Sequence, residues 1–205
     1  MRRGIFAFWG IVLLLLAGLY YWRVEANSRL MDEPPSAGVL VDLASMEPME
    51  PFQLTQQDGL TFDSASLDSQ VWVASFFFAN CPSACVNLNN AIATLQEELG
   101  EKPVAFVSIT VDPKHDTAAV LKEYAQRFDA DPDRWHFLTG EQKKIVEIIE
   151  GRFKVSARRV THSERLVLIG PDRRIVGWYR GTDQAEMTHL KRKIDELLSK
   201  ASKAG

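Results

Sequence analysis

The sequence predicts an α/β domain, a central mixed sheet flanked by helices, carried on an N-terminal transmembrane helix. Three observations predict it. Nineteen residues from Gly4 to Trp22 contain no Asp, Glu, Lys, Arg or His. Between Val71 and Gly151, runs suited to buried strands alternate with segments of helical period. Past Arg165, two short strands flank a turn and lead into an amphipathic helix. The chain's 205 residues suffice for one domain with a full core, plus a surplus at the N-terminus. Its apolar fraction of 46% and charged fraction of 25% fit neither a disordered chain, a coiled coil nor a many-pass membrane protein. With a net charge of -3 there is no basic footprint for phosphate neutralisation, which argues against a nucleic-acid partner.

At about 1.5 Å per residue the first apolar run covers a hydrocarbon core of about 30 Å. Arg2 and Arg3 precede it, and Trp9, Tyr20, Tyr21 and Trp22 occupy positions suited to the membrane interface. Residues 1–22 are therefore expected to be an anchor with its N-terminus in the cytoplasm. A cleaved signal peptide is the alternative, since Val24-Glu25-Ala26 offers a small residue before a cut. The run is longer than the roughly 7 to 15 residues of a signal's apolar region, which favours the anchor. Either reading exports the remainder of the chain. Residues 23–50 read as an acidic tether: Pro34, Pro35 and Pro48 interrupt it, and Glu25, Asp32, Glu33, Asp42, Glu47 and Glu50 outweigh Arg23 and Arg29. Met31, Met46 and Met49 fall in the same stretch and read as incidental rather than as soft metal ligands.

The folded domain is expected over residues 51–205. Segments around Phe52 to Leu54 and Leu60 to Phe62 suggest a first hairpin. Val71 to Ala79, β-branched and aromatic with almost no polar break, is expected to be a central strand covered on both faces. After Pro82, the residues Cys85, Leu88, Ile92, Leu95 and Leu99 recur at spacings of three and four, and Gly100 closes the helix. Val104 to Val111 is a second buried strand, and Thr117 to Phe128 a helix with Val120, Leu121, Tyr124 and Phe128 on one face. Glu141 to Glu150 is a further helix stopped by Gly151. The strand-helix-strand order implies parallel pairing with a right-handed crossover. Arg165 to Ile169 and Arg174 to Tyr179 form a hairpin around Gly170-Pro171-Asp172-Arg173. A last helix, Ala185 to Ser199, is expected to bury Leu190, Ile194, Leu197 and Leu198. This order is that of a thioredoxin-like fold.

The chemistry-bearing feature is Cys81-Pro82-Ser83-Ala84-Cys85, at the junction of strand and helix. Residues i and i+4 on a helix share a face, so the two sulfurs converge. The helix N-terminus favours thiolate over thiol. Such a pair can bind a metal, cycle through a disulfide or form a fixed bridge. The last constrains little, because the loop it closes is tiny. A metal needs further ligands. His162, before the Arg165 strand, is placed to fold over the sheet end where the cysteines emerge, whereas His115, His136 and His189 read as solvated or core residues. Two thiolates and an imidazole suit copper, whereas structural zinc usually recruits a fourth ligand.

The run Phe76-Phe77-Phe78-Ala79-Asn80-Cys81-Pro82-Ser83-Ala84-Cys85 is followed by Ser108-Ile109-Thr110-Val111-Asp112-Pro113 with Asp116-Thr117. His162 then stands eight residues before Gly170-Pro171-Asp172. In these three signals, spread over Phe52 to Ser199, the chain resembles the Sco/SenC family. That family comprises membrane-anchored thioredoxin-like copper proteins that help assemble the copper centre of cytochrome c oxidase. The resemblance implies one copper ion per domain, Cu(I) or Cu(II), held by Cys81, Cys85 and His162, with Asp112 in a supporting or structural position. It implies the copper-bearing oxidase subunit as partner, with other copper chaperones or thiol reductases beside it. The implied location is a single-pass one in the inner membrane, with the domain in the periplasm or extracytoplasmic space. Val86 departs from the family's frequent proline after the second cysteine. The rival reading is an exported thiol-disulfide oxidoreductase. A peroxidase is poorer, since no Thr or Arg lies between Phe76 and Ala91, and a copper-responsive signalling module is a third class.

Overall fold

The structure is a computed structural model that describes residues 17–19, 47–155 and 164–204. Apart from residues 17–19, the expected anchor lies outside the described residues, as do the tether up to residue 46 and His162.

In chain order the elements are β1 (Gln53–Gln56), β2 (Thr61–Asp63), a 3-10 turn (Ser64–Leu67), β3 (Val71–Phe77), α1 (Ala84–Leu99) and β4 (Val104–Thr110). There follow α2 (Ala118–Gln126), β5 (Trp135–Thr139), α3 (Gln142–Gly151), β6 (Arg165–Ile169), β7 (Ile175–Arg180) and α4 (Gln184–Ala204). Among the described residues seven strands form one mixed sheet in the order β2-β1-β5-β4-β3-β6-β7. β3, β4 and β5 run parallel, and antiparallel neighbours extend the sheet on both sides.

All seven residues of β3 are buried, as its continuous apolar run requires of a strand covered on both faces. Alternation then sorts its side chains. Val71, Val73 and Phe77 join Leu88 and Ile92 of α1, Leu121 and Tyr124 of α2, and Leu190 and Ile194 of α4 in one core. Trp72, Ala74 and Phe76 join Ile145, Ile148 and Ile149 of α3, with Phe52 and Leu54, in the other. Ser75 is a polar exception to the pattern. It sits opposite Ser108 of β4, and the two hydroxyls share a 2.8 Å hydrogen bond while Trp135 Nε1 donates to Ser108 Oγ.

Three expectations are corrected. Val120 is 38% exposed, because the buried stripe of α2 is Leu121, Tyr124 and Ala125 and its neighbour points about 100° away. Leu197 and Leu198 are only half-buried, and α4 runs on to Ala204, past the expected end at Ser199. Met49, read as part of the tether, is buried at the edge of the α3-side core, and its N–H donates to Arg173 O.

The topology gathers three loops at one sheet edge. Phe77 pairs with Thr110, so β3 and β4 end together. Ser75 pairs with Leu166 of antiparallel β6, so β6 begins where β3 ends. The cysteine segment, the turn Asp112 to Asp116 and the chain entering β6 at Glu164 therefore share the carboxyl end of the parallel strands, the usual ligand edge of α/β sheets.

Candidate metal centre

Cys81 and Cys85 are both buried free thiols. The local fold explains their approach. β3 ends at Phe77, and the chain turns, with Cys81 N donating to Phe78 O. α1 then starts after Ser83, whose side chain makes no capping hydrogen bond. Instead Cys85 N donates to Cys81 Sγ at 3.3 Å. The first sulfur thus satisfies a helix amide that a Ser or Asp side chain would ordinarily take.

This arrangement makes the thiols unequal. Burial pushes the Cys81 thiol up, but the Cys85 thiol and the amides of Ser83, Ala84 and Cys85 stabilise its anion more, and the net direction is down. At Cys85, burial acts first, hydrogen bonding to and charge on Cys81 act in the same direction, and Asp116 adds repulsion; the thiol is raised to about 12. The two sulfurs are therefore pushed in opposite directions, Cys81 toward the thiolate and Cys85 toward the thiol.

Asp116 organises the floor. It is 1% exposed, and its Oδ2 accepts from Ala79 N at 3.0 Å and from Thr110 Oγ1. The hydroxyl oxygen of Thr110 in turn accepts from Asp112 N at 3.0 Å. One carboxylate therefore ties the cysteine loop to the end of β4. Asp112 itself is more open, with Oδ2 2.8 Å from Nδ1 of the exposed His115. Sequence reasoning missed the role of Asp116, although the spacing Asp112 to Asp116 before the helix-capping Thr117 was visible. The other histidines make ring contacts elsewhere: His136 lies tilted against Phe62 at 5.0 Å and His189 meets Tyr179 edge-on at 5.7 Å.

His162 lies outside the described residues, and among the described residues no group of three or more His, Cys, Asp or Glu side chains is arranged to hold a metal. Its described neighbour in the chain is informative. Glu164 O accepts Gly181 N at 2.7 Å, and Gly181 packs so tightly on Leu88 of α1 that a Cβ there would overlap Leu88 Cδ1. Glu164, two residues after His162, is thereby fixed beside the helix turn that follows Cys85.

Residues 43–199 match the family model described as SCO1/SenC. The chain belongs to the SCO1/SenC family. A SCO1 protein homolog of Bacillus subtilis (strain 168) is 33% identical over 144 residues, 66% of this chain and 75% of that protein. Among solved structures, BsSco is described as having a disulfide switch and as a member of the Sco family of cytochrome c oxidase assembly proteins. It matches with a TM-score of 0.67 at 29% identity, covering 74% of this chain and 94% of that one. Bradyrhizobium japonicum ScoI, solved with copper bound, matches with a TM-score of 0.59 at 25% identity, covering 71% and 99%. The mixed α/β fold with its flanking helices is thus that of solved members of the family.

Proposed function

We propose that this chain is a membrane-anchored copper protein which binds one copper ion, Cu(I) or Cu(II), through Cys81 Sγ, Cys85 Sγ and a ring nitrogen of His162. It delivers that ion to the copper-bearing subunit of a cytochrome c oxidase. The observation that carries the reading is the pair of buried free thiols, Cys81 in the loop just before α1 and Cys85 in its first turn, joined by the bond from Cys85 N to Cys81 Sγ. Their chemistry fits the ion: two soft thiolates and an imidazole make a low-coordinate set with room for an incoming ligand. The register supports the third ligand, because Glu164 is held through Gly181 beside Leu88, in the helix turn that follows Cys85. Cys81 is poised as the first ligand, and Cys85 yields its proton as the metal takes its place. Transfer then proceeds by exchange of these sulfurs for those of the recipient. Asp112 stands in the adjoining turn as a supporting residue.

The test is a copper titration of the reduced, purified chain in detergent. Stoichiometric binding is expected, lost in Cys81→Ala and Cys85→Ala; unchanged binding in both would sink the proposal. His162→Ala is expected to keep weak Cu(I) binding and to lose a defined Cu(II) site.

The inequality of the two thiols favours a second reading, reduction of a partner's disulfide. Cys81 attacks one sulfur of that disulfide and expels the other as a thiolate. Cys85 then attacks Cys81 in the mixed disulfide, so that this chain is oxidised as the partner gains two thiols. Turnover of a disulfide by metal-free protein, undiminished in His162→Ala, separates this from copper delivery.

A further inference from the structure

The sheet edge that carries the dithiol is tied together at a second point. β6 and β7 pair from Arg165 and Arg180 inward, and the ladder runs one step further out, where Gly181 N donates to Glu164 O at 2.7 Å. The Glu164 side chain extends the tie, its Oε2 accepting from Thr182 Oγ1 at 2.5 Å. Thr182 itself stands in a well-fixed junction. Before it, Arg180 N donates to Glu186 Oε2; after it, Asp183 caps α4, its Oδ1 accepting from Ala185 N at 2.9 Å and from Glu186 N at 3.0 Å. Alternation along β6 sets Glu164 on the face of Leu166, which shares one core with Cys81, Cys85 and Leu88. Gly181 closes the remaining gap, since a Cβ there would overlap Leu88 Cδ1 and press on Leu166. A hydrogen bond between two side chains at the surface adds only modestly to stability. What this one does fix is the place of the residue that ends the His162 loop.

We infer that Glu164 is a positioning residue: held by Gly181 and Thr182, it fixes the end of the loop that carries His162 and sets how firmly that imidazole completes the copper site. The inference rests on the copper reading above. Two peptide units join residues 162 and 164, so at most about 7 Å of chain separates their α-carbons. Whatever holds Glu164 therefore limits where a side chain two positions earlier can reach. A ligand on a free loop must be ordered when the metal binds, which costs affinity, and fixing one end beforehand lowers that cost. Glu164 suits the task because it is held twice, by its carbonyl oxygen and by its carboxyl oxygen, so it cannot swing away from α4 without breaking both bonds. Groups that orient a metal ligand typically alter metal affinity by about 10- to 100-fold.

The test has a metal-free arm and a copper arm, both on the full chain. In the metal-free arm the protein carries Cys81→Ser and His162→Cys and is equilibrated with reduced and oxidised glutathione. A bridge between positions 85 and 162 is expected, each one forming as one glutathione disulfide is reduced to two thiols. Its equilibrium constant measures the effective concentration of one position at the other, and Glu164→Ala is expected to lower it about tenfold. In the copper arm both cysteines and His162 are present. Glu164→Ala and Thr182→Val are each expected to weaken Cu(I) binding about tenfold and to move the thiolate-to-Cu(II) charge-transfer band toward that of His162→Ala, at unchanged thermal stability. Glu164→Gln and Thr182→Ser, which keep the acceptor and the hydroxyl, are expected to behave as the parent does. Added to His162→Ala, Glu164→Ala is expected to leave the remaining Cu(I) affinity unchanged, because its effect runs through the imidazole. An equal loss with and without His162, or no loss in either, would overturn the inference, and so would failure of positions 85 and 162 to bridge. Should the unsubstituted chain bind no copper, the copper reading fails, and the bridge still decides whether Glu164 governs the reach of position 162. If Glu164→Ala does not fold, Thr182→Val removes the same bond from its other side, and parent-like values there count equally against the inference.

Discussion

At Cys81 a helix amide points at the sulfur, whereas Cys85, one turn on, is surrounded by core side chains. Thiol reactivity follows the thiolate fraction, so this difference is measurable. At pH 7 the chain carrying only Cys81 (Cys85→Ser) is expected to react with iodoacetamide at least about tenfold faster than the chain carrying only Cys85 (Cys81→Ser). The rate at Cys81 rises with pH until its proton is lost, and Cys85 needs strongly alkaline solution. Equal rates at pH 7 would remove the asymmetry from any account of this site. A second residue gives a stability prediction of definite sign. Burial lowers His136 below its ordinary 6.5, against the weaker opposing pull of Asp58, Asp133 and Asp131, and its Nδ1 is buried without a partner among the described residues. The folded state therefore binds this proton less readily than the unfolded chain does. The contribution is fully present above about pH 6.5 and is lost as pH falls through the folded value, with a slope of at most about 1.4 kcal/mol per pH unit for one proton. Urea midpoints measured from pH 7.5 to pH 5 are expected to fall more steeply in the parent than in His136→Phe. Parallel curves would contradict this.

The turn between β4 and α2 shows how two carboxylates of one motif divide their work. Asp116, itself buried, holds Ala79 N and Thr110 Oγ1, so Asp116→Ala strands one half-buried and one buried donor. The expected cost is about 2–3 kcal/mol in urea unfolding. Asp112→Ala, removing an exposed partner of His115, is expected to cost less than about 1 kcal/mol. A reversed order would mean that the supporting roles are assigned to the wrong aspartate. The same turn shows what a sequence can reveal. α1 and its cysteines were legible because spacings of three and four, an N-terminal Pro82 and a closing Gly100 are all local signals. The strands were legible because β3, β4 and the first strand of the hairpin are apolar on both faces. Asp116 and Glu164 were not, since each acts across the chain: Asp116 reaches Ala79, 37 residues away, and Glu164 reaches Thr182, 18 residues away. Gly181 belongs with them. Nothing local marks it, yet it is the point at which the chain after β7 touches Leu88.

At the scale of the molecule, charge and apolarity are segregated along the chain. The nineteen uncharged residues come first, six carboxylates against two arginines follow in residues 23–50, and the folded domain is nearly neutral. On the proposed anchor, an acidic tether is expected to be repelled by an anionic lipid surface rather than drawn to it. Orientation then depends on the first residues, because Arg2 and Arg3 are the only charges before the apolar run. This gives a prediction that no measurement on the folded domain alone can imitate. In spheroplasts of a Gram-negative host kept under reducing conditions, a membrane-impermeant maleimide is expected to label Cys81 in the intact chain. Labelling is expected to fall in Cys81→Ser and to be unaffected by prior lysis. The protein should stay with the membrane through alkaline carbonate extraction, whereas a chain freed by cleavage after Ala26 would leave with the soluble fraction. Replacing Arg2 and Arg3 by Glu is expected to lower the externally labelled fraction, since the positive charges expected to retain the N-terminus are then gone. Labelling only after lysis would place the thiols in the cytoplasm, and neither copper delivery to an external oxidase site nor reduction of its cysteines would survive that result.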